Sequence, residues 1–369
     1  MFWYIVICVL MLYPLSIVYA GNLSGKKTQW FALVIACTTL WFFMALRNES
    51  VGVDTKYYCH VFTQFADIPI SEVFSATTYA TDLKTWSFDF EPGYRLLNKL
   101  VSLVCPSAQT IIVFNSFLIM LLLYRLIRNH SPDYMMSIWL YITLGVYQTE
   151  MNVTRNAIAI LLVYNAFRYA QKGAVWKYVL CCLAASTIHS AALIFIPIYW
   201  VLRTVRLDEK KSALLILSGG VISAVFPVIR PVALGLVPNQ FDKYLAANSN
   251  KAEALLVGVF YAVLVALVCF AMTRKERSRV VNECSIGVTM FVLNMCLFSL
   301  TLSLKYAARG AALFGPYLII LLPQMLERIE SRGRRTLVKA VVVLVCGCQY
   351  IMRLCINNIG GTMPYQFFW

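Results

Sequence analysis

The apolar residues of this chain fall into long runs that are separated by short charged segments. Each run is about 15–25 residues long, the length that an α-helix needs to cross a hydrocarbon core of about 30 Å. The runs lack the alternating polarity of a membrane β-strand, and a helix satisfies its own backbone in lipid. The pattern therefore predicts an all-α, polytopic integral membrane protein with about 12 helical membrane segments. The predicted segments are residues 2–20, 30–46, 108–127, 134–150, 155–170, 177–188, 190–202, 212–230, 254–272, 284–303, 310–326 and 337–356.

The first apolar run, residues 2–20, is not preceded by basic residues, and the next run follows within about ten residues. This arrangement indicates a first membrane span rather than a signal peptide. No internal repeat, low-complexity segment or separate soluble portion is evident. We therefore expect residues 1–369 to form a single transmembrane domain.

Most of the Lys and Arg residues lie in six of the short loops, and cytoplasmic loops are the ones enriched in these residues. All six loops can be cytoplasmic only if both termini lie outside. Residues 177–202 are apolar but have basic clusters at both ends, so a single span would put one cluster on the wrong side. Two short helices with a turn near His189 avoid this, and short helices are tolerated where protein surrounds them. We therefore predict a helical hairpin with His189 at its outer tip.

The same topology places residues 47–107 outside, as one long extracytoplasmic loop. Its second half predicts an amphipathic helix with Tyr94, Leu97, Leu100 and Val101 on one face. A helix of this kind lies along the membrane interface.

Composition supports this class, because 60% of the residues are hydrophobic and only 13% are charged. Soluble domains average about 45–50% apolar and about 25% charged residues. The net charge of +15 raises nucleic acid as a partner, but the basic residues are scattered between spans, as orientation signals are. We therefore expect membrane lipid, and no nucleic acid, among the partners.

Most of the twelve cysteines lie inside apolar runs, where they act as small hydrophobic residues. Cys59 and Cys105 share the outer loop, so a disulfide between them is one open alternative. No Cys or His spacing typical of a metal site is present, and we expect neither a metal nor a cofactor.

Three arginines are placed on the outer side, against the orientation rule: Arg47, Arg155 and Arg309. Arg155 begins a predicted helix, where the helix dipole also favours an anion, although a pair with the nearby Glu150 is an alternative. Arg stays charged and binds phosphate with a planar, two-pronged set of donors. The three arginines therefore predict a site for a strongly anionic substrate, such as a pyrophosphate on a membrane lipid.

The candidate catalytic residues are His189, Glu91 and Asp54. A neutral imidazole accepts a proton near neutral pH, which makes His189 the preferred base, with the two carboxylates as rivals. Glu91 also has a structural alternative, because it precedes Pro92 where a helix would begin. The candidate sugar-binding residues are Tyr57, Tyr58 and Tyr94, whose rings could stack on sugars.

Four motifs in this order resemble the EpsG family of Wzy-type polysaccharide polymerases. They are R-x₄-G-x-D-x₂-Y-Y (Arg47 to Tyr58), E-P-G-Y-x₃-N (Glu91 to Asn98), R-N-x-I-A (Arg155 to Ala159) and I-H-S-A-A-L (Ile188 to Leu193). F-D-K-Y (Phe241 to Tyr244), the Arg309 segment and the final P-Y (Pro364, Tyr365) fit as well. One departure is Asn156, at a position where the family pattern leads us to expect Gln.

The resemblance implies a membrane glycosyltransferase that polymerises O-antigen, capsule or exopolysaccharide repeat units. Such an enzyme moves a growing glycan from undecaprenyl pyrophosphate to the non-reducing end of a lipid-linked repeat unit. It does so in the bacterial cytoplasmic (inner) membrane, with the active site facing the periplasm or the outside. Its partners would be undecaprenyl-pyrophosphate-linked oligosaccharides and a protein that regulates chain length.

Three alternatives share parts of this pattern. A flippase for lipid-linked glycans would also expose cations to a lipid pyrophosphate, but it should carry charges at mid-depth and pseudo-symmetric halves. An O-antigen ligase would use the same donor, and only the family resemblance separates it from a polymerase. A membrane acyltransferase is the third alternative, for which a single His is weak support.

Overall fold

The computed structural model describes Tyr4, Ile7 and residues 26–79, 89–236, 251–304 and 306–369. The described residues are predominantly helical, and an isolated β-bridge joins Arg47 to Phe367. The predicted all-α class is therefore confirmed for this part of the chain. Most of the predicted span 2–20 and the Phe241–Tyr244 motif lie outside the described residues.

The helices, numbered here in chain order, are α1 Lys26–Ala45, α2 Thr55–Asp67, α3 Pro92–Val104, α4 Ala108–His130, α5 Tyr134–Thr143, α6 Val146–Asn152, α7 Thr154–Gln171, α8 Val175–Ser186, α9 Phe195–Thr204, α10 Glu209–Leu236, α11 Lys251–Phe270, α12 Arg274–Glu283, α13 Ser285–Leu300, α14 Ala307–Ala311, α15 Leu318–Glu327 and α16 Arg332–Asn357. Short 3₁₀ turns lie at Ile70–Glu72, Ser190–Ile194, Gly315–Tyr317 and Ile359–Gly361. The chain divides into two compact units, one of residues 1–203 with 344–369 and one of residues 204–343.

Five helical segments of the described chain are long and apolar enough to cross a membrane: Lys26–Ala45, Ala108–His130, Glu209–Pro231, Ala307–Glu327 and Arg332–Ile356. The pair α12 and α13, which is bent by 93°, gives a sixth if it is taken as one span. Every other predicted segment from 134–150 onwards coincides with helix that is shorter, broken or less apolar. The structure thus supports five or six spans by length and composition, and the larger count of about twelve stays a prediction.

The hairpin predicted around His189 is present as two short helices, α8 and α9. The backbone of His189 is extended between them, with φ −153° and ψ 121°. The Tyr178 hydroxyl of α8 donates to the carbonyl oxygen of Phe195 at 2.8 Å, and the Tyr178 and Tyr199 rings lie 5.6 Å apart. These contacts hold the two helices side by side and turn the chain sharply at His189.

The segment 47–107 contains two helices rather than the single one that its pattern predicted. Helix α3 is the predicted amphipathic helix, and Lys99 on it donates from Nζ to the carbonyl oxygens of Phe65 and Ala66, both at 3.1 Å, near the end of α2. An ammonium group at this place complements the negative end of the α2 dipole. The two short helices therefore form one packed layer.

The apolar face of α3 is only partly the one predicted. Tyr94 and Val101 are buried, Leu97 packs beneath them, but Leu100 is exposed. Buried polar groups such as Lys99 take up part of the inner face, so leucines are left outside. The exposed apolar stripe is Leu96, Leu100, Leu103 and Val104, and it ends just before the first residue of α4. A stripe that adjoins a membrane-crossing helix agrees with an interfacial position, which stays a prediction.

The open alternative of a disulfide between Cys59 and Cys105 is not realised in the structure. Both residues are free; Cys59 is buried and Cys105 is exposed. The Cys59 thiol instead lies 3.8 Å from the carbonyl oxygen of Ala108. Sharing one loop did not bring the two residues together, because α2 turns Cys59 inward.

Candidate active site

The carboxylate of Glu91 connects three parts of the first unit that are far apart in the sequence. Its Oε2 lies 2.5 Å from Nη1 of Arg155, which is 64 residues away. Its Oε1 lies 3.1 Å from Nδ1 of His189 and accepts the backbone N–H of Ser190 at 2.9 Å. Glu91 therefore brings together the start of α3, the start of α7 and the tip of the α8–α9 hairpin.

The residues that follow Glu91 explain how α3 reaches the hairpin. Glu91 precedes the first helical residue, Pro92, whose fixed φ and missing N–H suit that position. A Cβ atom on Gly93 would lie 2.2 Å from Oγ1 and 2.9 Å from the carbonyl oxygen of Thr187. The backbone N–H of Tyr94 donates to that same carbonyl oxygen at 3.1 Å. Glycine at position 93 thus allows the close contact that places Glu91 beside His189.

Aromatic rings surround the guanidinium group of Arg155. Its Cζ lies 4.6 Å from the ring centre of Phe90, 5.8 Å from that of Tyr94 and 6.0 Å from that of Tyr58. Contacts at these distances are in the range of cation–π attraction and fix the direction of the side chain. The Tyr94 hydroxyl accepts a hydrogen bond of 2.7 Å from Nδ2 of Asn115 on α4. The cage is therefore anchored to a membrane-crossing helix.

The environment of Glu91 keeps its carboxyl ionised. Burial by itself raises the pKa of this group, but the hydrogen bond with His189, the charge of Arg155 and the N–H of Ser190 outweigh it and lower the pKa to about 2. A carboxylate with this pKa is a poor general acid or base near neutral pH. It is well suited to hold a proton on Nδ1 of His189, which leaves Nε2 as the proton acceptor.

The other carboxylate candidate, Asp54, lies just before α2. Its backbone N–H donates to Oδ1 of Asn152 at 2.8 Å, and Gly52 before it has a positive φ of 100°. Asp54 acts electrostatically on the hydroxyl of Tyr58, whose pKa is raised, mainly by burial. Asp54 thus borders the aromatic cage, whereas the carboxylate that contacts His189 is that of Glu91.

The three tyrosines predicted to bind sugars lie in two different settings. Tyr58 and Tyr94 are buried, and both pack against Phe90, with ring centres 5.9 Å and 4.9 Å away. A sugar could stack on either ring only if it were first uncovered. Tyr57 is partly exposed, with Nζ of Lys56 5.1 Å from its ring centre.

The other two predicted arginines are separate from the Glu91 cluster in their contacts. Arg47 is 1% exposed, and it donates to the carbonyl oxygens of Met44 and Met151, the latter at 2.9 Å, and to the Ser116 hydroxyl at 3.3 Å. A diphosphate could reach Arg47 only by displacing these partners. Arg309 belongs to the second unit, on α14, with its guanidinium group 4.9 Å from the ring centre of Tyr306.

The alternative pair of Glu150 with Arg155 does not form. Oε2 of Glu150 accepts a hydrogen bond of 2.6 Å from the buried Tyr141 hydroxyl, whereas Arg155 turns to Glu91. The break between α6 and α7 at Val153 separates the two side chains, although only four residues lie between them. Proximity along the chain was a misleading guide to the partner of Arg155.

Three residues of the site were not recognised as such in the sequence: Phe90, Thr187 and Asn115. Asn115 carried a usable signal, because a buried amide inside an apolar span requires a partner. Phe90 and Thr187 look like ordinary loop and helix-end residues, and only their contacts identify them. Within the described ranges, no group of three or more His, Cys, Asp or Glu residues could hold a metal ion, and metal independence stays a prediction.

Comparison with known proteins gives one match, and it covers most of the chain. The family model of the EpsG family matches residues 30–367. This is a family of polysaccharide polymerase-like membrane proteins. No match was found among curated proteins. No solved structure matches the chain either.

Proposed function

The chain belongs to the EpsG family, and from this membership we propose that it polymerises a bacterial surface polysaccharide such as O-antigen or capsule. The proposed reaction moves a growing glycan from undecaprenyl pyrophosphate to the non-reducing end of a lipid-linked repeat unit. The observation that carries the proposal is the Glu91 carboxylate, which holds a potential base, His189, and a cation, Arg155, in one site.

His189 is the proposed general base. With Nδ1–H donated to Glu91, Nε2 can take the proton from the attacking hydroxyl of the acceptor sugar. The imidazolium that forms lies against a carboxylate that is already ionised, which stabilises its charge. Glu91 therefore acts as a positioning residue in this scheme, rather than as the base.

Arg155 is the proposed partner of the leaving pyrophosphate. Its position in the first turn of α7 adds the positive end of a helix dipole, and the aromatic cage fixes its direction. A lipid pyrophosphate is a good leaving group, so charge stabilisation rather than an acid is required. The role of Arg309 stays a prediction, whereas the buried contacts of Arg47 favour a structural role.

The proposed step balances without a cofactor. The acceptor oxygen forms a bond to the anomeric carbon of the donor glycan, and the bond from that carbon to the pyrophosphate oxygen breaks. The electron pair leaves with undecaprenyl pyrophosphate, and the hydroxyl proton goes to Nε2 of His189. We place the site on the periplasmic or outer face of the cytoplasmic membrane, where lipid-linked repeat units are present after flipping.

Complementation of a strain that lacks the gene tests the proposal. His189→Gln and Arg155→Gln should insert in the membrane but leave surface glycan with a single repeat unit. His60→Gln, at the histidine of the 47–107 segment, and Arg125→Gln, at an exposed arginine of α4, are the matched controls and should give full-length chains. Full-length glycan from both site variants would overturn the proposed function.

A further inference from the structure

A cavity of about 730 Å³ opens beside Glu91 in the first unit. Sites for small ligands usually have volumes of about 300–1,000 Å³. The described residues that line it come from two stretches, Phe74–Thr78 and Asp89–Arg95. The cavity therefore lies next to the proposed base, because Glu91 is at once a wall of the cavity and the partner of His189.

Arg95 ties the two walls of the cavity together. Its Nη1 donates to the carbonyl oxygens of Val73 at 3.0 Å and Ala76 at 2.9 Å on one wall. Its Nε donates to the carbonyl oxygen of Phe90 at 2.9 Å, and its Nη2 forms an ion pair with Asp89, on the other wall. The guanidinium group is thus engaged on every nitrogen and is buried, so it shapes the cavity rather than offering a charge to a ligand.

The lining favours a sugar over a phosphate. Two of the described lining residues are carboxylates, Asp89 and Glu91, and the basic one, Arg95, is occupied. This arrangement disfavours a dianionic pyrophosphate. Three hydroxyl-bearing residues, Ser75, Thr77 and Thr78, and an exposed ring, Phe74, also line the cavity. Hydroxyls and carboxylates pair with sugar hydroxyls, and an aromatic face packs against the C–H face of a sugar ring.

We infer that this cavity binds the terminal sugars of the acceptor, and that Phe74 is their stacking platform. The inference rests on the proposed polymerase function and adds a separate binding site to it. A sugar in the cavity lies against Glu91, whose carboxylate also contacts His189. Arg155 is not among the described residues that line the cavity, so the acceptor sugar and the donor pyrophosphate bind to different residues.

The test measures sugar binding separately from polymerisation. The full-length protein in lipid nanodiscs is titrated with the repeat-unit oligosaccharide that mild acid releases from the native lipid-linked intermediate, a probe without lipid or phosphate. Phe74→Ala should weaken this binding about tenfold. Ile70→Ala is the matched control, because Ile70 is equally exposed on the same segment but does not line the cavity, and it should bind as the wild type does.

Thr77→Trp, which fills the cavity from an exposed position, should abolish binding. No binding by the wild type would overturn the cavity assignment. Binding by Phe74→Ala and Thr77→Trp that is as strong as that of the wild type would also overturn it. Polymerisation is assayed in the same nanodiscs. Polymerisation without oligosaccharide binding refutes the cavity alone, whereas oligosaccharide binding without polymerisation refutes the proposed function.

Discussion

Thr187 occupies the space into which a side chain on Gly93 would extend. The contact fixes the distance between α3 and the α8–α9 hairpin, because a Cβ at position 93 would meet both Oγ1 and the backbone of Thr187. Glu91 lies two residues before Gly93, and His189 lies two residues after Thr187. Their 3.1 Å approach therefore depends on the absence of a side chain at Gly93.

Gly93→Ala should lower polymerisation at least tenfold while the protein still folds, because α3 must move away from the hairpin. Replacing Thr187 by Gly in the same protein removes Oγ1 and Cβ and should restore part of the activity. Gly220→Ala is the matched control, since no atom lies within 4 Å of the added Cβ. In-vitro chain extension by the purified variants measures the effect, and unaltered activity of Gly93→Ala would contradict the role of this contact.

Glu91 should make the stability of the protein depend on pH in the acid range. Its folded pKa of about 2 lies below the ordinary value of 4.5, so its stabilising contribution is fully present above about pH 4.5. The contribution is lost as the pH falls through the folded value. Thermal unfolding in detergent should therefore show a smaller drop in Tm from pH 5 to pH 2 for Glu91→Gln than for the wild type. Glu72→Gln, an exposed carboxylate of the same segment, should behave as the wild type.

Glu91→Gln should also lower the rate of polymerisation by a factor on the order of 10² or more, although the base itself is retained. The amide removes the negative charge that stabilises the imidazolium and no longer fixes the Nδ1 proton. Activity close to that of the wild type would show that His189 works without this carboxylate.

Arg155→Lys tests whether the positive charge alone is sufficient or whether the planar guanidinium group is required. The ammonium group keeps the charge but loses the two-pronged geometry and part of the contact with Phe90. We expect activity between those of the wild type and Arg155→Gln, with the larger change in the apparent KM for the lipid-linked donor. Equal inactivity of the Lys and Gln variants would indicate that geometry, not charge, is decisive.

Arg47→Met should reduce stability rather than donor binding. Its guanidinium group donates to carbonyl oxygens near the end of α1 and in α6, and each of these would lose a donor. The expected loss is about 2–4 kcal/mol of unfolding free energy, visible as a lower Tm and a lower yield in membranes. A variant with the wild-type Tm and a raised KM for the donor would instead indicate that Arg47 binds the pyrophosphate.

The hydrophobic pattern predicted the helices well, because membrane segments are set by local composition. It also predicted the break at His189, since charge on both flanks constrains the path of the chain. The break at Gly145, which divides the segment 134–150 into α5 and α6, was missed because a single glycine with positive φ hardly changes hydropathy. A continuous apolar run is therefore not always one straight helix.

The site was predicted residue by residue but not as an arrangement. His189, Glu91 and Arg155 were all candidates, yet the sequence offered no means of pairing them across 64 and 98 residues. The nearest opposite charge, Glu150, was the local alternative for Arg155, and tertiary packing gave a different partner. The aromatic cage could not be predicted from the sequence either, because its rings come together only when α2 and α3 pack.

The most direct test of the central claim is extension of purified lipid-linked repeat units by the purified protein in lipid nanodiscs, with His189→Gln and His60→Gln compared at equal protein. We predict that the wild type and His60→Gln form polymers with release of undecaprenyl pyrophosphate. The rate for His189→Gln should be lower by a factor on the order of 10²–10⁴, with the protein intact. Polymer formation by His189→Gln at the wild-type rate would contradict this prediction.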